Sequence, residues 1–271
     1  MKKRTLITCL LALLTTNLLL AQSPTSKSDI DSEQKAIAEK IIKSFVKDYQ
    51  EDRFAKEARV IGIEIPNAGQ WTVNIKGLRE NGKWLVNLKE GLPDTPCYAY
   101  SIEFETLNAI YENKINALTA QGKAFASDYT PMSVNEINGF KPNEDEDSKL
   151  NAFSFHFWTK GFPEIIPFRE ELTRQAHGSN FTIFYYEKGL RTAWYRILPG
   201  ERVRDDAREQ AAPFPMLAVT IKGTIDGEVD GKSVTISEGN TVFIPANSNH
   251  KWWNDREEAV EVILIMFGEG A

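Results

Sequence analysis

The sequence predicts two domains of different fold class, an N-terminal α+β domain over residues 31–140 and a C-terminal all-β domain over residues 151–271. The first half combines an amphipathic helical pattern with strand-like runs, whereas the second half contains many short strand-like runs and almost no helical pattern. Between them, residues 141–149 carry four consecutive acidic residues and none of the apolar residues that form cores. This stretch predicts a solvated linker over 141–150. A calcium site is the alternative, but the stretch lacks the spaced ligands and turn glycine of a calcium-binding loop.

The composition is that of a globular protein. Of the 271 residues, 42% are hydrophobic and 26% are charged, and the formal net charge is −6. A chain of this length and composition can bury a sizeable core without metal or disulfide cross-links. The acidic balance excludes a nucleic-acid-binding protein that relies on basic charge, and the hydrophobic content excludes a disordered chain.

Residues 1–21 have the pattern of a secretory signal peptide. Basic residues at 2–4 precede an apolar run that ends at Ala21. We therefore expect cleavage after Ala21 and a mature protein that is periplasmic or secreted. A membrane anchor is the alternative, but polar residues at 15–17 interrupt the run, so we expect no stable membrane span after cleavage.

Cleavage would leave Cys97 as the single cysteine, so the mature chain could form no internal disulfide. Its neighbours alternate between apolar residues and polar or small ones, which predicts a strand. Because no His or basic residue lies nearby in sequence to lower its pKa, we expect a buried structural thiol rather than a nucleophile.

A helix is predicted to begin near Asp31, where apolar residues start to repeat at four-residue spacing. The repeating residues are Ile37, Ile41, Phe45 and Tyr49. Four strand-like runs and then two helical runs follow, at 60–65, 71–75, 84–88, 98–102, 104–111 and 115–123. The dipeptide Asn81-Gly82 predicts a tight hairpin. A helix, an antiparallel meander and further helices together indicate a small α+β domain.

Six strand-like runs follow the acidic stretch, at 181–187, 192–198, 216–222, 233–236, 241–244 and 260–267. Glycines, prolines and the turn dipeptides Asp226-Gly227 and Asp230-Gly231 separate them. Many short strands with regular turns indicate a sandwich or a jelly-roll barrel.

Residues 239–254 resemble the second conserved motif of the cupin family, G-x5-P-x-G-x2-H-x3-N. Four of its positions are kept, Gly239, Pro245, His250 and Asn254. Asn247 replaces the second glycine, and because Asn tolerates a left-handed backbone, we expect the turn to persist. The resemblance covers about 181–271, with 151–180 as the segment that precedes the barrel in the same domain. It implies a jelly-roll barrel.

In the cupin family, two His and one Glu of a first motif join the later His around a divalent metal. Here those three positions fall on Asp206, Arg208 and Met216. A guanidinium offers no lone pair, and a thioether is a soft ligand suited to copper(I). We therefore expect no functional metal site and no cofactor, and a metal, if bound, would be held by His250.

The same resemblance implies that Asp206, Arg208 and His250 project into one cavity of the barrel, which Met216 and Trp252 would line. A guanidinium and a titratable donor in an apolar barrel suit a carboxylate or a polar head group. The alternative is that Asp206 and Arg208 merely pair with each other at the rim.

The N-terminal domain resembles the sterol carrier protein 2 family in the order of its elements and in two stretches, 69–84 and 102–123. The first stretch is a strand pair that displays Trp71 and Trp84, and the second is a pair of short helices around a small loop. The resemblance covers about 33–135 and implies an apolar tunnel between sheet and helices. A plain core explains the apolar alternation of the helices equally well.

Two further histidines are weaker candidates for a functional site. His156 stands among aromatic residues, which favours a hydrogen-bonded core or rim histidine over a metal ligand. His177 stands on a predicted turn, where we expect an exposed side chain; a contribution to the barrel cavity is the alternative.

Two functions remain open at this point. The first is an exported, non-catalytic binding protein for a small apolar or amphipathic ligand, lipid-like or a carboxylate, which could also form a homodimer through its barrel. The second is a cupin enzyme, an oxygenase, isomerase or lyase, that uses unusual metal ligands or metal-free acid–base chemistry by His250 with Asp206. The sequence favours the first, because a retained fold motif accompanies a lost ligand set. We expect no nucleic-acid partner.

Overall fold

The structure is a computed structural model that describes residues 27–122, 129–159 and 165–271. The predicted signal peptide lies outside the described residues. The N-terminal region comprises α1 (Lys27–Tyr49), β1 (Arg59–Ile65), β2 (Gly69–Glu80), β3 (Lys83–Glu90), β4 (Cys97–Ile102), α2 (Phe104–Tyr111), α3 (Ala117–Gln121), β5 (Met132–Ile137) and α4 (Glu144–Phe157). The four predicted strands and the helix over 104–111 are therefore confirmed. The first helix begins at Lys27 instead of near Asp31, and the run at 115–123 is helical only over Ala117–Gln121, with residue 123 outside the described residues. Strand β5 and helix α4 were not predicted.

The N-terminal sheet is mixed rather than a simple antiparallel meander. Its strand order is β3-β2-β1-β4-β5, and β4 pairs with β1 in parallel while the other neighbours are antiparallel. The chain must therefore cross over between β3 and β4, which local turn signals do not reveal. The predicted hairpin is confirmed, since Asn81 and Gly82 both adopt left-handed backbone angles, with φ of 51° and 83°.

The acidic stretch is not a linker, and this prediction was wrong. Helix α4 begins inside it, and Asn143 caps the helix by accepting a hydrogen bond from the Asp145 backbone N–H at 3.0 Å. Acidic residues in a first helical turn interact favourably with the positive end of the helix dipole, which accounts for a charge run at this place. The apolar residues of α4 begin only at Leu150, so the first turn alone looks like solvated loop.

The C-terminal region contains ten strands: β6 (Arg174–Ala176), β7 (Ser179–Glu187), β8 (Leu190–Ile197), β9 (Arg202–Val203), β10 (Met216–Lys222), β11 (Thr224–Val229), β12 (Lys232–Ser237), β13 (Thr241–Ile244), β14 (His250–Trp253) and β15 (Val260–Phe267). They form a six-stranded sheet, β13-β10-β15-β8-β7-β6, and a four-stranded sheet, β12-β11-β14-β9. A core of apolar side chains from both sheets lies between them. All six predicted strands are present, and the fold is an all-β barrel.

Only one of the two predicted Asp-Gly turns is a turn. Asp230 and Gly231 have φ of 48° and 76° and join β11 to β12. Gly227 instead lies in the middle of β11, directly opposite Trp252 of β14. A Cβ atom on Gly227 would lie 2.1 Å from the Trp252 ring, so the glycine leaves room for that ring.

Helices α3 and α4 connect the two regions. Phe153 and Phe157 of α4 belong to the N-terminal core, whereas Ala152 and Phe155 of the same helix belong to the barrel core. Thr119 of α3 accepts a hydrogen bond from the Ile183 backbone N–H of β7 at 2.8 Å. The N-terminal region and the barrel therefore pack directly against each other, and no flexible linker separates them within the described residues. None of the described helices carries an apolar stretch long enough to cross a membrane.

Candidate functional site

The barrel interior is narrow and apolar. It encloses a cavity of about 40 Å³, and Met216, His250 and Trp252 line it as the sequence analysis expected. The remaining wall is largely aliphatic: Ile197, Val203, Ala218, Ile225, Ile236, Ile244, Val262 and Leu264. Because a water molecule needs roughly 10–15 Å³ of such space, the interior holds a few waters at most.

His250 is held inside the barrel in a neutral form. Its backbone N–H donates to the Gln210 carbonyl at 2.9 Å, and its side chain is 2% exposed. The imidazole Nδ1–H donates to the Ser248 carbonyl at 3.0 Å, which fixes the neutral tautomer with the proton on Nδ1. Burial, assisted by the positive charge of Arg204, lowers the pKa of His250 from 6.5 to about 4.

Asp206 and Arg208 do not line the barrel interior, so their predicted placement was wrong and the alternative pairing at the rim is correct. Asp206 caps a short 3₁₀ turn over Ala207–Glu209 and accepts from the Arg208 backbone N–H at 2.8 Å. The Arg208 guanidinium donates two hydrogen bonds to the same carboxylate, with Nε–Oδ1 and Nη2–Oδ2 distances of 3.0 and 2.9 Å. These hydrogen bonds lower the pKa of Asp206 to about 2. The 3₁₀ turn directs both side chains away from the interior, which the motif spacing could not show.

Arg204, which the sequence analysis missed, takes the place expected for Arg208. It has a left-handed backbone with φ of 56°, and its N–H donates to the His177 carbonyl at 3.0 Å. Its guanidinium donates a short hydrogen bond to the Glu209 carbonyl and reaches the barrel wall. A left-handed arginine is uncommon, and counting from the motif gives no sign of it.

A second cavity, of about 300 Å³, lies between the barrel and helices α3 and α4. We call it the helix–barrel cavity. Leu118, Gln121, Gly122 and Asn151 line it from the helical side, and the barrel supplies His177, Phe181, Ile183, Tyr186, Arg191, Ala193, Tyr195, Arg204, Phe214 and Met266. Tyr195 and Arg204 also line the barrel interior, so the two cavities are adjacent.

Two arginines give the helix–barrel cavity a positive potential. The Arg191 guanidinium lies over the rings of Tyr186 and Phe214, 5.2 and 5.9 Å from their centroids. Neither Arg191 nor Arg204 forms an ion pair with any carboxylate of the described residues. Burial raises the pKa of Tyr195, although both arginines favour its ionised form. The hydroxyl of Tyr195 therefore stays protonated at neutral pH and can donate a hydrogen bond.

A buried acid and a histidine adjoin the same wall. Glu209 is 8% exposed, and its Oε2 lies 3.2 Å from the His177 Nδ1. Its Oε1 is buried and makes no hydrogen bond with the described residues. His177 does lie on the predicted turn, with φ of 56°, but its side chain is only 22% exposed and lines the helix–barrel cavity. The expectation of an exposed side chain was therefore wrong.

The space beneath the N-terminal sheet is filled by aromatic side chains. Phe45 contacts Trp158 at 5.3 Å between ring centroids, and Tyr49 packs edge-on against Phe153 and Phe157 at 5.5 Å each. Phe45 and Phe157 are fully buried. This packing is that of a plain core, the alternative to a sterol-carrier-like tunnel.

Cys97 and His156 both have structural roles, as the sequence predicted. Cys97 is buried, and burial raises the pKa of its thiol, so it is a poor nucleophile. His156 is buried against the Phe54 ring, and its Nδ1 lies 3.2 Å from an Asp52 carboxylate oxygen.

The second motif keeps its structural residues. Asn247 adopts the left-handed conformation with φ of 62°, as the replacement of a glycine required. Asn254 is fully buried, and its side-chain amide donates to the carbonyls of Ile197 and Glu258 at 3.0 and 2.8 Å. Its Oδ1 accepts from the Arg256 backbone N–H at 3.1 Å. Residues 194–266 match the family model of the cupin domain.

Over these residues the chain is similar to cupin domains. A cupin domain of Schizosaccharomyces pombe Cnp3 is similar at 13% identity, with 36% of this chain and 68% of that one covered and a TM-score of 0.33. A cupin 2 conserved barrel domain protein from Salinispora arenicola is similar at 15% identity, with 39% and 89% covered and a TM-score of 0.35. No curated protein sequence matches the chain.

The metal that cupin domains bind does not fit this one. His250 is the one retained ligand, and because its Nδ1–H donates to a carbonyl, it offers a single lone pair, on Nε2. The other polar groups on the interior wall are the hydroxyls of Tyr195 and Thr220 and the Arg204 guanidinium, which would repel a cation. In the part of the chain that the structure describes, no three His, Cys, Asp or Glu residues cluster closely enough to hold a metal ion.

Proposed function

We propose that this protein is an exported, non-catalytic binding protein that holds a small amphipathic molecule in the helix–barrel cavity. The observation that carries the proposal is the difference in size between the two cavities. At about 300 Å³, the helix–barrel cavity reaches the lower end of the range of known ligand pockets, whereas the barrel interior, at about 40 Å³, falls far below it.

The lining of the helix–barrel cavity supports the same conclusion. Apolar side chains such as Phe181 and Met266 can contact the body of a ligand, and a few polar groups can orient one end of it. The walls come from two separate parts of the chain, the barrel and the α3–α4 helices, and clefts between such parts are common ligand sites.

The enzyme alternative receives less support from the described residues. Metal-free acid–base chemistry needs His250 and Asp206 within reach of one substrate, but Asp206 lies outside the barrel and is paired with Arg208. The pKa of about 4 makes the Nε2 of His250 a weak general base at physiological pH and leaves no protonated imidazole to act as a general acid.

We further propose a homodimer through the outer face of the six-stranded sheet. Met216, Ala218 and Thr220 face the interior, so the alternate residues Leu217 and Val219 face outward. Ile263 and Ile265 of β15 face outward for the same reason, and Phe243 at the sheet edge is 53% exposed. An apolar outer sheet face is typical of an interface between subunits. Native mass spectrometry would show two copies per particle, and Phe243→Asp should shift the protein toward one copy.

Paired cavity-filling variants test the proposed ligand site. Ala193→Leu adds volume to the wall of the helix–barrel cavity, and Ala218→Leu adds the same group to the barrel interior. We expect native mass spectrometry of the purified wild-type protein to show a bound small molecule, which is lost in Ala193→Leu and kept in Ala218→Leu. Melting temperatures of both variants show whether they remain folded. Loss of the molecule in Ala218→Leu alone would place the ligand in the barrel interior and refute the proposal.

A further inference from the structure

We propose that the ligand of the helix–barrel cavity is an organic carboxylate, whose carboxylate binds Arg191 and Arg204 and whose apolar body contacts Phe181, Met266 and Leu118. This inference rests on the proposed function and specifies the chemical class of its ligand.

The charge balance of the cavity favours an anionic ligand. Arg191 and Arg204 are both half-buried, and neither has a carboxylate partner among the described residues. A partly desolvated cation without a counter-charge is unfavourable, so an anion that entered the cavity would be stabilised there. Glu209 supplies one negative charge nearby, but its carboxylate contacts His177. It therefore forms no ion pair with either of the two arginines.

Both guanidinium groups are held in position at the wall of the cavity. Arg204 is held at both ends, by the backbone hydrogen bond to His177 and by the hydrogen bond from its guanidinium to the Glu209 carbonyl. Arg191 is held against the rings of Tyr186 and Phe214. A guanidinium has five N–H donors, so most of the donors of each group remain for a ligand. Planar guanidinium groups match the two oxygens of a carboxylate in bidentate geometry.

The rest of the wall has an apolar part. Leu118, Phe181, Ile183 and Met266 form this part, and His177, Tyr186 and Tyr195 also line the cavity. The side-chain amides of Gln121 and Asn151 are polar but uncharged. A monocarboxylate with an aromatic or aliphatic body satisfies both parts of the cavity, whereas a small inorganic anion would leave the apolar part empty.

Three acids and their primary amides provide matched probes: phenylacetate, naphthoate and octanoate. Each would be titrated into the full mature protein by calorimetry. We expect at least one acid to bind about tenfold or more tightly than its amide, because hydrogen bonds between two charged groups are stronger than those to a neutral amide. In Arg191→Gln and Arg204→Gln this preference should fall to about twofold or less, while Arg191→Lys keeps part of it.

Arg208→Gln is the matched control, because it removes an arginine that the structure places outside both cavities. It should keep the full preference for the acid. If the amides bind as tightly as the acids, the carboxylate class is wrong while the binding function stands. If no probe binds and no molecule co-purifies with the wild-type protein, the proposed function fails together with this inference. If Arg208→Gln loses the preference, the site lies at the rim.

Discussion

The barrel interior and the helix–barrel cavity share Tyr195 and Arg204 in their walls, yet they differ in almost every other respect. The interior contains His250 of the cupin-like motif and is small and apolar. The helix–barrel cavity is larger, carries two arginines and draws part of its wall from outside the barrel. The comparison separates two groups of residues. Asn254 of the motif stabilises the fold through hydrogen bonds to the backbone, whereas Arg191 and Arg204, which line the larger cavity, lie outside the motif.

Asn254 should show the largest effect on stability if the motif is structural. Its side chain is fully buried and makes three hydrogen bonds to the backbone. Asn254→Ala should lower the free energy of unfolding by about 3 kcal/mol, since each bond contributes about 1 kcal/mol and two carbonyls lose their partner. Urea denaturation measures this change. The exposed Asn249→Ala is the control, and a similar loss in both variants would contradict a structural role for Asn254.

His250 should make stability depend on pH. The unfolded histidine takes up a proton near pH 6.5, but the folded one does so only near pH 4, so the unfolded state binds more protons between these values. The free energy of unfolding should therefore decrease as the pH falls from 6.5 to 4, by about 2–3 kcal/mol from this residue. Denaturation of His250→Asn over the same range should lack this decrease, whereas His156→Gln should keep it. A parallel slope in wild type and His250→Asn would show that His250 is not buried and neutral.

Gly227 tests how tightly the interior is packed around Trp252. Gly227→Ala should cost about 2 kcal/mol of stability, because the new methyl group overlaps the indole ring. Trp252→Leu on its own removes packing, but in the double variant the overlap with the ring is gone and only the 2.8 Å approach to the Lys251 carbonyl oxygen remains. The two stability changes should thus be non-additive, and additive changes would mean that the ring has room to move.

Gly122 tests the other cavity. A Cβ atom there would lie 2.5 Å from the Phe181 ring, and the backbone φ of −57° suits alanine. Gly122→Ala should displace the ring toward the cavity and weaken naphthoate binding about tenfold, roughly 1.4 kcal/mol. Ala218→Val, a change in the barrel interior, should leave binding unaltered. Equal binding in wild type and Gly122→Ala, measured by calorimetry, would show that Phe181 is not part of the ligand site.

Arg208→Gln should have the smallest effect of all. The pair with Asp206 is exposed on the surface, where ion pairs contribute little to stability. Melting temperature and naphthoate affinity should both match the wild type. A marked loss of affinity would mean that Arg208 contacts the ligand, as the motif spacing predicted.

Local patterns predicted most of the strands and helices, because each depends on residues close together in sequence. The periodic residues of α1 and the Asn81-Gly82 turn are examples. Helix α4 was missed because its cap and acidic first turn look like loop until Leu150, and the parallel pairing of β1 with β4 depends on residues far apart in sequence.

The site was less predictable than the fold. Met216, His250 and Trp252 face the interior because the strand register follows the motif. Arg204 replaces Arg208 because one left-handed residue and one 3₁₀ turn redirect the chain, and neither has a sequence signal. Arg191 enters the site only because helices α3 and α4 pack against the barrel, which is a tertiary contact.

A crystal structure of the protein soaked with a bromonaphthoate tests the central claim most directly, since anomalous scattering locates the bromine without ambiguity. Our account predicts a bromine peak beside Phe181 and Met266, with the carboxylate on Arg191 and Arg204. A peak inside the barrel, between His250 and Trp252, would contradict it.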